Sequence, residues 1–165
     1  KDDSTSITPL SEKVNAKIFS NVLTFWTGIS RNSEEILKEQ DDNTYNNNEA
    51  LLELRNQADE LLNIINSNQL NNHLFGVFLN KGWEFKKKLS SNISNRFINE
   101  ACNIALDNGA YGGKISGAGG GGFLNLIVPE NKKNKLVITL SKLGLQKINL
   151  NYEINGTATN KMDFG

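Results

Sequence analysis

Apolar positions change period several times along the chain, and each change predicts an element. Ile18 to Thr27 is a β-branched and aromatic run, which predicts a strand ended by Gly28. Ser30 or Asn32 can then cap a short helix through Glu39, with Glu34 and Glu35 well placed in its first turn. Asp41 to Asn48 reads as a polar loop. From Glu49 to Ser67, Leu51, Leu54, Ala58, Leu61, Leu62 and Ile65 recur at helical spacing and predict one buried face. Leu70 to Leu89 repeats that pattern with Leu74, Val77, Phe78, Phe85 and Leu89, widened by Phe75, Leu79 and Trp83. Gly76 and Gly82 weaken this helix, so close packing is expected at both. Asn95 caps a further helix that turns Ile98, Ala101, Cys102, Ala105 and Leu106 inward, and Gly109 closes it. A glycine-rich stretch follows, then the apolar run Phe123–Val128, which Pro129 ends and which predicts a buried strand. Asn131 to Leu143 predicts a helix with Leu136, Val137, Leu140 and Leu143 inward, stopped by Gly144. Ile148, Leu150, Tyr152 and Ile154 alternate with polar residues and predict a last strand with one buried face. Residues 1–17 read as a lead-in and 157–165 as a polar tail.

The order is therefore strand, several helices, strand, strand, helix, strand. Such an order predicts an α+β, ferredoxin-like split β-α-β sandwich, with extra helices in its first crossover and one domain over 1–165. Composition narrows the setting. With 38% hydrophobic residues, mean hydropathy −0.43 and no apolar run near membrane-spanning length, the chain reads as soluble, with no membrane partner. Eighteen basic and 18 acidic residues balance to +0, which argues against bulk binding to nucleic acid. Cys102 is the one cysteine, so no internal disulfide forms and a reducing, cytoplasmic compartment is expected. The polar start at Lys1 carries no signal-peptide pattern, and the missing initiator methionine suggests a fragment or a processed chain.

The chemistry concentrates between Gly112 and Gly122, which hold seven of the 14 glycines. Bare backbone can turn its N–H groups inward and hold an anion, most often a phosphate. Gly117, Gly119 and Gly122 fit the dinucleotide pattern G-x-G-x-x-G, but that pattern needs a helix after it and a carboxylate about 20 residues on. Here a strand follows, and Ser141–Gly144 carries no acid. The Walker pattern fails because Phe123 stands after Gly122. What remains is a hairpin tip of bare main chain. An unliganded turn is the alternative, but the six residues from Gly117 to Gly122 exceed what a turn requires.

The segment Gly113-Lys114-Ile115-Ser116-Gly117-Ala118-Gly119-Gly120-Gly121-Gly122-Phe123-Leu124, with Asn108-Gly109-Ala110 before it, resembles the third signature of the GHMP kinases. These are the galactose, homoserine, mevalonate and phosphomevalonate kinases. Thr27-Gly28-Ile29-Ser30-Arg31 and Trp83-Glu84-Phe85-Lys86-Lys87-Lys88-Leu89-Ser90 further resemble the D-glycero-D-manno-heptose 7-phosphate kinase branch. The resemblance runs from about Ser20 to the C-terminus. It implies the C-terminal lobe of a sugar kinase that uses ATP to phosphorylate the anomeric hydroxyl of the heptose phosphate, for surface polysaccharide. It implies that Gly117, Ala118, Gly119, Gly120, Gly121 and Gly122 face the nucleotide phosphates and the acceptor. The family's phosphate loop, of P-x-x-x-G-L-x-S-S type, has no counterpart at Pro9 or Pro129. ATP and Mg²⁺ are therefore expected to be held mainly by an N-terminal lobe outside this chain, which contributes no catalytic residue and no metal ligand and is expected to be inactive alone. The residues leave two other readings open: a ferredoxin-like module that binds a phosphorylated metabolite without chemistry, and a kinase acting on fucose, galactose or mevalonate.

Further residues are weighed singly. Arg31, after a strand end and near a helix start, can grip a substrate phosphate, or pair with Glu34 or Glu35. Ser30 travels with it as cap or ligand contact. Lys114 can meet a phosphate or stay solvated, and Ser116 can hydrogen-bond the loop. Lys86, Lys87 and Lys88 read as a wet helix face, and the sequence singles out none of them. His73, Cys102 and Trp83 read as packing residues.

Overall fold

The computed structural model describes residues 10–150. Chain order is α1 (Glu12–Phe19), β1 (Val22–Trp26), α2 (Ser33–Asp42), α3 (Asn48–Asn66), α4 (Asn72–Lys87), α5 (Arg96–Asp107), β2 (Gly112–Ile115), β3 (Phe123–Ile127), α6 (Glu130–Lys142) and β4 (Gln146–Ile148). The four strands form one sheet in the order β2-β3-β1-β4, and each neighbouring pair is antiparallel. β3 thus separates β1 from β2. The first crossover carries α2 to α5 and the second carries α6. This is the expected split β-α-β arrangement.

Alternation along the strands builds the core. Leu23 pairs with Leu126 and Phe25 with Leu124, while Ile115 faces Leu124 from the outer strand. All five are buried, as are Ile98, Ala101 and Ala105 of α5, Leu136 and Leu140 of α6 and Ile36 of α2. Each fully buried leucine, isoleucine or phenylalanine contributes about 1.5–3 kcal/mol. On the other parity of the sheet, hydrogen bonds connect three strands. The Thr24 hydroxyl donates to Asn125 Oδ1 at 2.7 Å, and the Asn125 amide donates to the Ser116 hydroxyl at 2.6 Å.

Helix α4 runs alongside the outer strand β2. Its approach depends on two facing glycines: a Cβ on Gly112 would stand 1.9 Å from the Gly76 carbonyl oxygen, and one on Gly76 would stand 2.4 Å from Tyr111 Cβ. The expectation of close packing at Gly76 holds. Gly82 is looser, with the Gln57 side-chain oxygen 3.1 Å from where its Cβ would be.

Several expectations need correction. Ile18 and Phe19 belong to α1, not to a strand, and part of the supposed lead-in is helical. Ser11 caps that helix by accepting from the Val14 N–H, Glu12 and Lys17 complement its dipole, and the strand begins only after the break at Ser20 and Asn21. Asn32, not Ser30, caps α2, which continues through Asp41 and Asp42 into the expected loop. Leu51, Ala58 and Leu62 on α3, Val77 on α4 and Leu106 on α5 are exposed rather than inward. The last strand stops at Ile148, so Leu150 lies past it. Tyr152, Ile154 and residues 157–165 fall outside the described residues.

Candidate functional site

Three segments meet at one end of the sheet: the β1–α2 connection, the α4–α5 connection and the glycine tip between β2 and β3. Register brings them together, since Trp26 at the end of β1 lies opposite Phe123 at the start of β3. Their rings pack 5.2 Å apart. The tip is then braced from both sides. The Gly122 carbonyl accepts from the Thr27 N–H and hydroxyl, each at 2.9 Å, and the Gly122 N–H donates to the Ile29 carbonyl at 2.8 Å. On the other side the Gly120 N–H donates to the Ile93 carbonyl at 2.7 Å, and the Asn95 amide donates to the Gly120 carbonyl at 3.3 Å. The main chain comes so close that side chains have no room. A Cβ at Gly121 would meet the Ile29 carbonyl oxygen at 2.4 Å, and one at Gly119 would meet that of Ile93 at 2.7 Å.

This bracing corrects the expectation for the tip. The N–H groups of Gly120 and Gly122 are spent inside the protein. Those of Gly117, Ala118, Gly119 and Gly121 take no partner among the described residues. Trp26, Ile29, Ser30, Arg31, Ser33 and Ser116 join Ala118, Gly119, Gly121 and Gly122 around an open depression. The first turn of α2 reaches it through Ser33, so the positive end of a helix dipole adds to the Arg31 charge there. Arg31 is exposed, and it makes no ion pair or hydrogen bond with a described residue, Glu34 and Glu35 included. Among the described residues no carboxylate lines the depression.

Two expected members stand elsewhere. Gly117 turns its carbonyl to the Lys86 ammonium, and Lys114 lies with Lys86 in a separate groove between α3 and α4. Ser116 accepts from Asn125 rather than bonding the tip, because Asn125 stands on the adjacent strand β3. The lysine run separates into three different roles. Lys86 meets the glycine tip, Lys87 pairs with Glu84 at 2.7 Å, and Lys88 sits 5.0 Å over the Phe85 ring. Half-burial, and then the neighbouring Lys114 charge, lower the Lys86 pKa below the usual lysine range.

Sequence reasoning missed Glu39. Its carboxylate accepts from the Ser91 N–H at 2.8 Å, the Ser91 hydroxyl at 2.9 Å and the Asn92 amide at 2.8 Å. The Ser90 hydroxyl first, then Ser91 and Asn92, hold its carboxyl at about 2. A glutamate late in α2 thereby fixes the α4–α5 connection, which in turn braces Gly120. A glutamate on an exposed helical turn carries no sign of such a role in sequence. Burial pushes the Cys102 thiol up to about 11, so it stays protonated. His73 packs edge-on against Tyr111, and Trp83 is buried. Among the described residues no group of three or more His, Cys, Asp or Glu could hold a metal ion, and no helix is long and apolar enough to cross a membrane.

The model of the GHMP kinases' C-terminal region matches residues 47–139, more than half of the sequence. This chain belongs to the GHMP kinases. The matched stretch of this GHMP kinase C-terminal domain runs from the start of α3 into α6 and includes the whole glycine tip, while Ser30 and Arg31 lie before it. The domain is 45% identical over 64 residues to the D-glycero-alpha-D-manno-heptose 7-phosphate kinase of Campylobacter jejuni, across 39% of this chain and 19% of that one. It is 38% identical over 68 residues to a galactokinase of Candida albicans, across 41% of this chain and 13% of that one. Its fold is similar to mevalonate kinase from Methanococcus jannaschii, with TM-score 0.64 and 28% identity, over 77% of this chain and 38% of that structure. The domain therefore spans well under half the length of the relatives it matches.

Proposed function

We propose that this domain is the C-terminal lobe of an ATP-dependent sugar kinase whose acceptor is D-glycero-D-manno-heptose 7-phosphate, phosphorylated at the anomeric hydroxyl. The reading assigns the other wall of the cleft, with the ATP phosphate loop and the Mg²⁺ ligands, to a second lobe. It also assigns the enzyme to the cytoplasm. The observation that carries it is the depression itself: the N–H groups of Ala118, Gly119 and Gly121, an arginine with no partner among the described residues and a helix start line the place where a phosphate needs donors. Phosphoryl transfer depends chiefly on positioning and charge neutralisation. In this reading the N–H groups of Ala118, Gly119 and Gly121 hold phosphoryl oxygens of the nucleotide. Arg31 grips the sugar's own phosphate bidentately, and Ser30 orients it. Ser116, fixed by Asn125, offers its hydroxyl to the acceptor. The 45% identity to a heptose 7-phosphate kinase supports this acceptor.

Arg31→Ala in the enzyme carrying both lobes tests the reading. Losing a charged hydrogen-bonding partner costs about 1.5–3 kcal/mol. KM for the heptose phosphate should therefore rise about 10- to 100-fold, with KM for ATP changed less than about threefold. The similarity to a galactokinase favours a second acceptor, a neutral sugar. With such an acceptor Arg31→Ala leaves KM for the sugar unchanged, and that result rejects the heptose phosphate assignment.

A further inference from the structure

The groove between α3 and α4 is separate from the depression and carries its own chemistry. Leu54, Ala58 and Leu61 form one wall, and Phe78 and Leu79 form the other. It has room for about 200 Å³. Polar groups gather among these apolar residues, and two of their buried N–H donors lack partners among the described residues. Lys86 and Lys114 both line the groove, and neither meets a carboxylate within ion-pair distance among the described residues. Gln57 is 7% exposed and Trp83 is 1% exposed, and both also line it. The Gln57 Nε2 and Trp83 Nε1 groups have no hydrogen-bond partner among the described residues. Leaving a buried donor unpaired costs about 1–3 kcal/mol. Two such donors beside two cations, with no acid in the lining, call for a ligand that brings its own acceptors.

We propose that this groove is a binding site for an organic phosphate monoester, its dianionic head held by Lys86 and Lys114 and its short apolar substituent lying between α3 and α4. A dianion matches the paired lysines in charge. The phosphate oxygens supply the acceptors that Gln57 and Trp83 lack, and the leucine and phenylalanine walls select an apolar body over a bare ion. Burial and the Lys114 charge both disfavour the charged form of Lys86, and a bound dianion offsets that penalty. Because the Lys86 ammonium also donates to the Gly117 carbonyl, occupancy of the groove reaches the glycine tip through one side chain. The site does not depend on the kinase reading, since none of its ten lining residues borders the depression.

Titration of the 165-residue chain with n-hexyl phosphate, inorganic phosphate and n-hexanol tests the proposal, followed by calorimetry and by amide and indole NMR shifts. Hexyl phosphate should bind at least tenfold more tightly than either of the others, the equivalent of burying about two methylenes. It should shift the Trp83 indole N–H and the Gly117 and Ala118 amides. Lys86→Met and Lys114→Met, which keep the apolar stem, should each weaken it tenfold or more. Ala58→Phe, made at an exposed position to fill the groove, should do the same without touching a charge. Arg31→Ala should leave its affinity unchanged. Equal affinity for hexyl phosphate and inorganic phosphate overturns the proposal. So does a loss caused by Arg31→Ala, which would move the anion to the depression.

Discussion

At the residue scale, Glu39 yields the clearest prediction. Its folded pKa, about 2, lies below the ordinary 4.5. The stability it contributes is therefore fully present above pH 4.5 and is lost as pH falls towards 2. Thermal melts of the wild type should show Tm falling across that window, and Glu39→Gln should flatten this part of the profile. A variant with an unchanged slope would show that the contacts to Ser91 and Asn92 do not favour the ionised carboxylate. Single residues were also the least legible in the sequence. Lys86, Lys87 and Lys88 are identical in type and adjacent, and only the direction in which α4 presents each one separates a tip contact from an ion pair and a ring contact. Arg31 was legible as a possible phosphate ligand because the strand end and helix start around it were. That Gly120 and Gly122 spend their N–H groups on Ile93 and Ile29 was not, since those partners lie 27 and 93 positions away in sequence.

At the element scale, patterns with room to repeat were read well. α4 and α5 have apolar periods, and the structure returns both helices and the expected Asn95 cap on the Ile98 N–H, while the Asn71 cap on the Leu74 N–H is a further finding. α1 was lost because its Ile18 and Phe19 run on into the β-branched strand, and two polar residues are a weak break. On α3 the apolar stripe was correctly read as helical, but packing covers only the narrow line around Ala50, Leu54 and Gln57, and periodicity does not say how much of a stripe is covered. The α4–β2 contact carries a stability prediction. Gly112→Ala places a methyl against the Gly76 main chain, which no side-chain rotation relieves. Chemical denaturation should show a loss of about 2–4 kcal/mol. Gly144→Ala, at φ +99 but with open space around it, should cost less, about 1 kcal/mol, so the difference between the two isolates the helix–strand approach from backbone strain.

For the whole molecule, strand order followed from the alternation of elements, because an antiparallel split β-α-β sheet is the compact way to bury this sequence of strands and helices. The depression followed only in part: its glycines and Arg31 are marked in sequence, while the bracing of its tip by the α4–α5 connection is a tertiary fact. Among the described residues no acid lines the depression, and our proposal gives the Mg²⁺ ligands to the second lobe. With Mg-ATP and heptose 7-phosphate, the 165-residue chain should give no turnover above background, and sustained turnover would show that the second lobe in our proposal is superfluous.

The tip's hydrogen bonds with Ile29 and Ile93 run through peptide groups. Those bonds consequently use no side-chain atom, while the close approach requires the absence of a methyl at Gly119 and Gly121. Neighbours that border the depression without bonding the tip, Arg31 and Ser33 among them, can therefore change without breaking those bonds, and selection for a different acceptor can act there. One main-chain scaffold can thus be passed on unchanged while the chemistry around it diversifies.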